Sequence, residues 1–318
     1  MFGSFAKYLF NSNTNVKVFA VKNDLGKVVY EICTDYRDLE QFYKSKYCQA
    51  FLNKAFYERL ISAISNEAVC LIIGTPCVLS GIKNTLLAQK AKLTSCIFVD
   101  LVCHGVMSQS VYHTHLEECK KRWGGVVTQH YFRYKRAVTK DCPEGSHWNL
   151  YKVNNEIIIK KSDDDYYMQT YFADLAMRET CYCCQFTGTN RIGDITIGDF
   201  NNAHMLCSQF DGLRSVSLVL VNTDKGQRFI DECNNNTVNL QPVDIKLLQK
   251  FNTPLTAPIK RPFQRSLFYT FYNSLGLSRT VSLLNYKYYL RKIIVAFGGK
   301  KLLLKIKALL GRSYIDIE

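Results

Sequence analysis

Short, wholly apolar runs and longer runs with helical spacing alternate along this chain, and their order predicts its elements. Residues 16–21 and 27–32 carry strand-like patterns. They flank Asn23-Asp24-Leu25-Gly26, which predicts a hairpin. Residues 51–65 place Phe51, Ala55, Leu60 and Ile64 near helical spacing. Residues 69–73 are uninterrupted apolar, as in a strand buried on both faces. A helix over 79–92 carries Ile82, Leu86 and Leu87, and 96–102 is a second buried strand. Further along, the pattern predicts a helix over 106–122 and a strand over 126–134. It then predicts a polar insertion or loosely packed hairpin over 136–166, and a helix over 167–179 running directly into Cys181. A strand over 192–197, another over 216–222 and a helix over 225–234 complete the body. Pro254, Pro258 and Pro262 break the pattern. Two domains are expected, 1–255 and 256–318. The fold class is α/β: a mixed, partly parallel sheet with flanking helices and a helical, basic C-terminal tail.

The strand–helix–strand unit over 69–102 has a chemical consequence. Its right-handed crossover makes the two strands parallel. Cys77, in Gly74-Thr75-Pro76-Cys77, and Cys103, in Asp100-Leu101-Val102-Cys103-His104-Gly105, then share the carboxyl edge of the sheet. Ligand crevices of open parallel sheets form at that edge.

Composition sharpens this picture in two places. The formal net charge is +14, yet residues 259–318 hold 12 Lys/Arg against 2 Asp/Glu, so the body is nearly neutral. The helical candidates 286–297 and 300–310 have apolar and basic faces. They read as helices packed on the body or as a patch for an anionic membrane surface. No nucleic-acid motif accompanies the charge, so no nucleic acid is expected as a partner. The 13 cysteines are irregularly spaced and no secretion signal opens the sequence. A reducing, cytoplasmic location is expected, either free or peripheral at the inner face of the membrane, with clustered thiols that bind metal rather than pair as disulfides. No apolar run reaches membrane-spanning length.

The densest chemistry lies in Cys181-Tyr182-Cys183-Cys184. Two thiolates three apart hold part of a metal site. With Cys77 and Cys103, Cys181 and Cys184 make a set of four that suits a 4Fe–4S cluster or a structural zinc ion. Cys183 is a substitute ligand. The plain reading of Cys33, Cys70, Cys96, Cys119 and Cys233 is that of small buried apolar residues. No glycine-rich dinucleotide fingerprint and no Ser/His/Asp arrangement is present.

Seven motifs occur in a familiar order: Ser45-Lys46-Tyr47; Gly74-Thr75-Pro76-Cys77; Asp100 through Gly105; Phe132-Arg133-Tyr134-Lys135; Arg178 with Cys181-Tyr182-x-Cys184-x-Phe186; Asp194-Ile195-Thr196-Ile197-Gly198-Asp199-Phe200; and Val221-Asn222-Thr223-x-Lys225-Gly226. Together they resemble the C-terminal domain of the coenzyme F420 hydrogenase/dehydrogenase beta subunit family, over roughly residues 40–230. The resemblance implies an iron–sulfur flavoprotein oxidoreductase that passes electrons between a 4Fe–4S cluster, FAD and coenzyme F420 or another acceptor. A ferredoxin or a redox partner subunit would supply the electrons. Residues 1–255 would be the iron–sulfur/flavin domain and 256–318 an aromatic and basic extension. The family includes members encoded among polysaccharide-biosynthesis genes, so a repurposed, non-catalytic role there is the alternative. The chain departs from the pattern in lacking an upstream ferredoxin-like cysteine segment. It also has Asn201 where the family usually has Trp.

Within the resemblance, His104 is a candidate donor to a cluster sulfur or a flavin edge, or a structural partner. Lys46, Arg133, Lys135 and Arg191 are candidate contacts to flavin phosphates or ring, where cations favour the anionic reduced form. Each is equally readable as a solvated or salt-bridged charge. Asp194 and Asp199 would bind ribityl or ribose hydroxyls, or cap turns.

Overall fold

A computed structural model of the chain describes residues 1–24, 26–134, 147–200, 203, 216–236 and 238–285. It divides into two compact units, Met1–Pro262 and Phe263–Glu318. The expected boundary at 255/256 lies inside the first.

Helix α1 (Phe2–Ser12) buries Phe5, Ala6 and Leu9. Strands β1 (Val16–Asp24) and β2 (Lys27–Cys33) form the antiparallel hairpin that the turn residues predict. After a 3-10 turn, Tyr36–Phe42, helix α2 (Lys54–Ser65) starts at Asn53, whose side chain accepts from Phe56 N. Strand β3 (Val69–Gly74), helix α3 (Pro76–Ala88) and strand β4 (Cys96–Leu101) are the predicted unit, with β3 and β4 parallel in register from Cys70 with Cys96 to Gly74 with Asp100. Helix α3 begins three residues earlier than its apolar spacing predicts. Pro76 has no N–H to lose and suits the first helical turn, which puts Cys77 in that turn too.

Helix α4 (Gln109–Trp123) is capped by Ser108 and stopped by Gly124, whose φ is 68°. Strands β5 (Val127–Tyr134), β6 (Trp148–Val153) and β7 (Glu156–Lys161) make a separate antiparallel sheet in the order β5-β6-β7. The loose hairpin expected here is in fact well packed: Trp148, Leu150, Tyr151 and Val153 are buried. Its core is partly polar, which hid it in the pattern. His115 Nε2 lies 2.9 Å from Tyr151 Oη, Tyr151 Oη donates to Asp165 at 2.5 Å, and Asn149 donates to Ser162 Oγ at 3.1 Å. Burial lowers His115 and pushes His130 down to about 3, so both rings are neutral here.

The helix expected over 167–179 is a second correction. Helix α5 (Tyr166–Phe172), capped by Asp165, ends after two turns, and Asp174 takes φ 54°. Leu175, Ala176 and Met177 are buried consecutively, which one helical face cannot do. Instead Met177 bridges Met107, and Met107 bridges Cys48. A 3-10 turn, Glu179–Cys181, follows. Strand β8 (Ile195–Asp199) starts three residues later than predicted. Strand β9 (Ser217–Val221) and helix α6 (Asp224–Asn236) follow the pattern. Helix α7 (Ile245–Phe251) ends the named helices of this unit.

The main sheet has the order β2-β1-β3-β4-β8-β9. Its four central strands are parallel and its two edges antiparallel. The architecture is therefore the mixed, partly parallel α/β sheet expected. In the second unit, α8 (Gln264–Leu275) and α9 (Leu277–Leu284) meet at Gly276, with φ 78°. The basic candidates 286–297 and 300–310 lie outside the described residues. No helix among the described residues is long and apolar enough to cross a membrane.

Candidate functional site

Three loops meet at the carboxyl ends of β3 and β4. Gly74 ends β3 beside Tyr30, and any Cβ at 74 would collide with the Tyr30 hydroxyl. The next loop feeds Cys77 into the first turn of α3, where the helix N–H groups have no partner within the helix. The Thr75 hydroxyl sits 3.5 Å from Cys77 Sγ. Cys103 follows β4 by two residues. Gly105 then turns with φ 154°, a backbone conformation that side chains rarely adopt, and a Cβ there would press on Met177 Sδ and Ile259 Cδ1 while meeting Cys181 Cβ in ordinary contact. Arg178 N donates to Val106 O and Cys181 N to Arg178 O, which seats the Cys181–Cys184 turn beside Cys103.

The four expected ligands act on one another electrostatically. Burial pushes the Cys103 thiol up to about 12, and Cys77, Cys181 and Cys184 add to the shift. Cys181 is raised by burial, with Cys77 and Cys184 contributing. The buried Tyr30 hydroxyl is raised by burial and by Cys77 and Cys103. Among the described residues, no group of three or more His, Cys, Asp or Glu side chains is placed to hold one metal ion. A zinc ion needs its sulfurs about 2.3 Å from one centre. In a 4Fe–4S cluster four thiolates bind a larger body, and the donor set is of the kind that either group takes. Cys183 is exposed, and Cys33, Cys70, Cys96, Cys119 and Cys233 are buried; of these, Cys33 donates to Asp35 O, Cys70 to Ala68 O, and Cys119 lies 3.6 Å from His115 Nε2.

The expected flavin contacts scatter. His104 Nε2 pairs with Asp174 Oδ1 at 2.7 Å, and Asp174 O accepts from Tyr182 Oη at 2.5 Å. His104 therefore ties the α5 end to the cysteine loop. Arg133 occupies a β-bulge in β5 with φ 52° and forms an ion pair with Asp199 at the end of β8. That pair reaches the same sheet edge as the cysteines. The ring centroids of Tyr171 and Tyr47 are 4.5 Å apart, and Tyr47 also meets Phe132, the neighbour of Arg133, at 5.7 Å. Burial first, then Tyr47, Cys103 and Asp174, raises the Tyr171 hydroxyl. Sequence reasoning missed Tyr171 and Asp174, because neither sits in a motif with chemical spacing.

Two of the expected flavin contacts, Arg191 and Asp194, are held by groups within the fold. The Arg191 side chain is 1% exposed against Asp100 at 0%. It donates to Asp100 Oδ1 at 2.7 Å, Leu101 O at 2.9 Å and Phe186 O at 2.9 Å. Its donors are internal, so none is left to point at a phosphate. Asp194 lies at the amino end of β8, a strand length from Asp199. It accepts from Phe98 N and Thr223 Oγ1 and pairs with Lys225 at 3.2 Å. The Asn222-Thr223-x-Lys225-Gly226 motif thus locks the far edge of the sheet. Lys135 lies outside the described residues.

Lys46 turns inward. Its Nζ donates to Phe42 O and Tyr43 O, both at 2.8 Å, and burial lowers it from 10.5 to about 7. Between pH 7 and 10.5 the unfolded chain holds this proton more tightly than the folded one. Stability therefore rises with pH through that window, and the penalty is complete below pH 7. Lys46→Met is expected to flatten the rise in urea-unfolding free energy between pH 7 and 10; an unchanged slope would show that Lys46 does not carry it.

No curated protein matches the chain, whereas ten chains of solved structures do. One of them comes from a structure entitled "Xenon derivatization of the F420-reducing [NiFe] hydrogenase complex from Methanosarcina barkeri". It is 12% identical, with a TM-score of 0.49, and the match covers 80% of this chain and 81% of that one. At that level it adds nothing to a functional argument. The family model for the C terminus of the "Coenzyme F420 hydrogenase/dehydrogenase, beta subunit" matches residues 68–246. That span is more than half of the chain and contains β3, α3, β4 and all four candidate thiol ligands, so the chain belongs to this family.

Proposed function

We propose that the chain is an iron–sulfur flavoprotein oxidoreductase. Cys77, Cys103, Cys181 and Cys184 would hold one 4Fe–4S cluster at the carboxyl edge of the sheet. The single observation that carries this reading is the convergence of thiols from three segments, each beginning where a parallel strand or a 3-10 turn ends. When bound, the cluster supplies one-electron transfer and FAD couples it to hydride exchange with coenzyme F420 or another acceptor.

The chain's own residues would do the rest. The first turn of α3 would hold the Cys77 sulfur at the sheet edge. Tyr30 and Tyr171 exclude water from the cysteine side. Arg133, held by Asp199, presents a cation beside the Tyr47–Tyr171 pair, where a flavin ring or phosphate would gain from it. His104 fixes the cysteine loop through Asp174. A ferredoxin or a partner subunit is the proposed electron donor, and the iron–sulfur/flavin role is assigned to residues 1–255.

The test is the content of protein purified without oxygen. A brown preparation with about four irons per chain, labile sulfide and a flavin band supports the reading. A colourless preparation without iron would overturn it, and would favour a repurposed role of the kind found among polysaccharide-biosynthesis relatives.

A further inference from the structure

We propose that β7 is a homodimerisation edge, pairing antiparallel with β7 of a second copy about a two-fold axis through Ile158. The strand closes the order β5-β6-β7, and no described strand pairs with its outer side. Such edges are commonly blunted by charge or proline, because their unpaired backbone groups invite another strand. Here the middle of the edge is Ile157-Ile158-Ile159, with Ile157 61% and Ile159 37% exposed.

The backbone parity is set by the hairpin. Ser162 N donates to His147 O, and the same register runs from Trp148 with Lys161 to Val153 with Glu156. Residues 156, 158 and 160 therefore direct their N–H and C=O groups to β6, and 157, 159 and 161 direct theirs outward. A second β7 can add its hydrogen bonds only if outward residues face outward residues.

One antiparallel register meets this rule and matches every side chain. It places Glu156 opposite the second copy's Lys160, Ile157 opposite its Ile159, and Ile158 opposite itself. Both relations occur twice by symmetry, because Glu-Ile-Ile-Ile-Lys read backwards is its own charge complement. Shifting the axis to Ile159 puts Ile157 opposite Lys161 and loses both opposite-charge pairs. Glu156 makes no ion pair among the described residues, so its charge is free for this use. The occupant that this pattern fits is therefore another copy of the chain, joining two three-stranded sheets into one of six.

The experiment is sedimentation velocity of the full chain across a concentration series. The natural protein is expected to show a reversible monomer–dimer equilibrium. Glu156→Lys sets two like-charge pairs across the axis, and so does Lys160→Glu; each is expected to raise the dimer Kd about tenfold or more. The double variant Glu156→Lys/Lys160→Glu restores both pairs with signs exchanged, and its Kd should return to near the natural value. Ile159→Pro removes one outward N–H without touching the β6 pairing and should abolish dimers. A natural protein that stays monomeric would overturn the proposal. So would a dimer that is indifferent to the single reversals, which would use another surface.

Discussion

Cys181→Ser and Cys103→Ser are expected to strip most iron from anaerobically prepared protein, while Cys233→Ala leaves it unchanged. The difference comes from where each sulfur sits. Cys103 and Cys181 are half-buried thiols, each raised first by burial and then by neighbouring cysteines, Cys77 and Cys184 among them. Cys233 is fully buried in the apolar cluster beneath α1, with Phe5, Leu9 and Phe229. A serine hydroxyl is a hard, neutral donor and does not replace a thiolate on iron. Perturbing the partners behind metal ligands already costs 10- to 100-fold in affinity, so losing a ligand should cost about tenfold at the least. The readout is iron and sulfide per chain, with circular dichroism as the folding control. Equal iron in all three variants would remove the ligand assignment. Loss in Cys233→Ala as well would mean that iron merely follows stability.

The largest expected stability effect is at Arg191. Arg191→Met leaves the Asp100 carboxylate buried at 0% exposure without its counter-charge. Removing one partner of a buried pair costs about 3–5 kcal/mol. For a domain of this size that lowers Tm by roughly 10 °C. Asp100 does more than pair. Its second oxygen accepts from Ile192 N at 3.1 Å and Gly193 N at 2.8 Å, which delays the start of β8 by holding the preceding turn. Arg191 in turn grips Phe186 O and Leu101 O, joining the segment after Cys184 to the strand before Cys103. Iron loading should therefore fall along with Tm. A Tm loss of only about 1 °C would show that the pair carries little of the fold.

Several particulars explain how much was readable in advance. The β3–α3–β4 unit was legible because apolar continuity and helical spacing are local, and the crossover rule then fixed the edge that Cys77 and Cys103 share. The early start of α3 was also legible in principle, since proline at a first helical turn is a local signal. Helix α1 was not, because its sequence mixes signals and the helix is settled by burial, with the Phe5 ring 5.4 Å from that of Phe229. The end of α5 was misjudged for a related reason. Its residues continue a plausible helix, but Leu175 through Met177 are all buried, with Met177 bridged to Met107, and one helical face cannot bury three consecutive residues. The polar core of the small sheet was invisible, because His, Tyr, Asn and Asp look like surface until their hydrogen bonds are paired.

The amino-acid order alone determined the strands of the parallel core, the edge carrying two cysteines, the Cys181–Cys184 pair and the family, since all of these are written in short-range patterns. Which charges stand at that edge was decided only by the tertiary structure. Arg191 and Asp194 look like ligand contacts in one dimension, yet burial demands that their charges be answered by Asp100 and Lys225. Arg133 meets Asp199, 66 residues further along the chain, from an irregular point of β5 where its own φ is 52°. Charges respond to what surrounds them, and in this protein the surroundings come from residues far away along the chain.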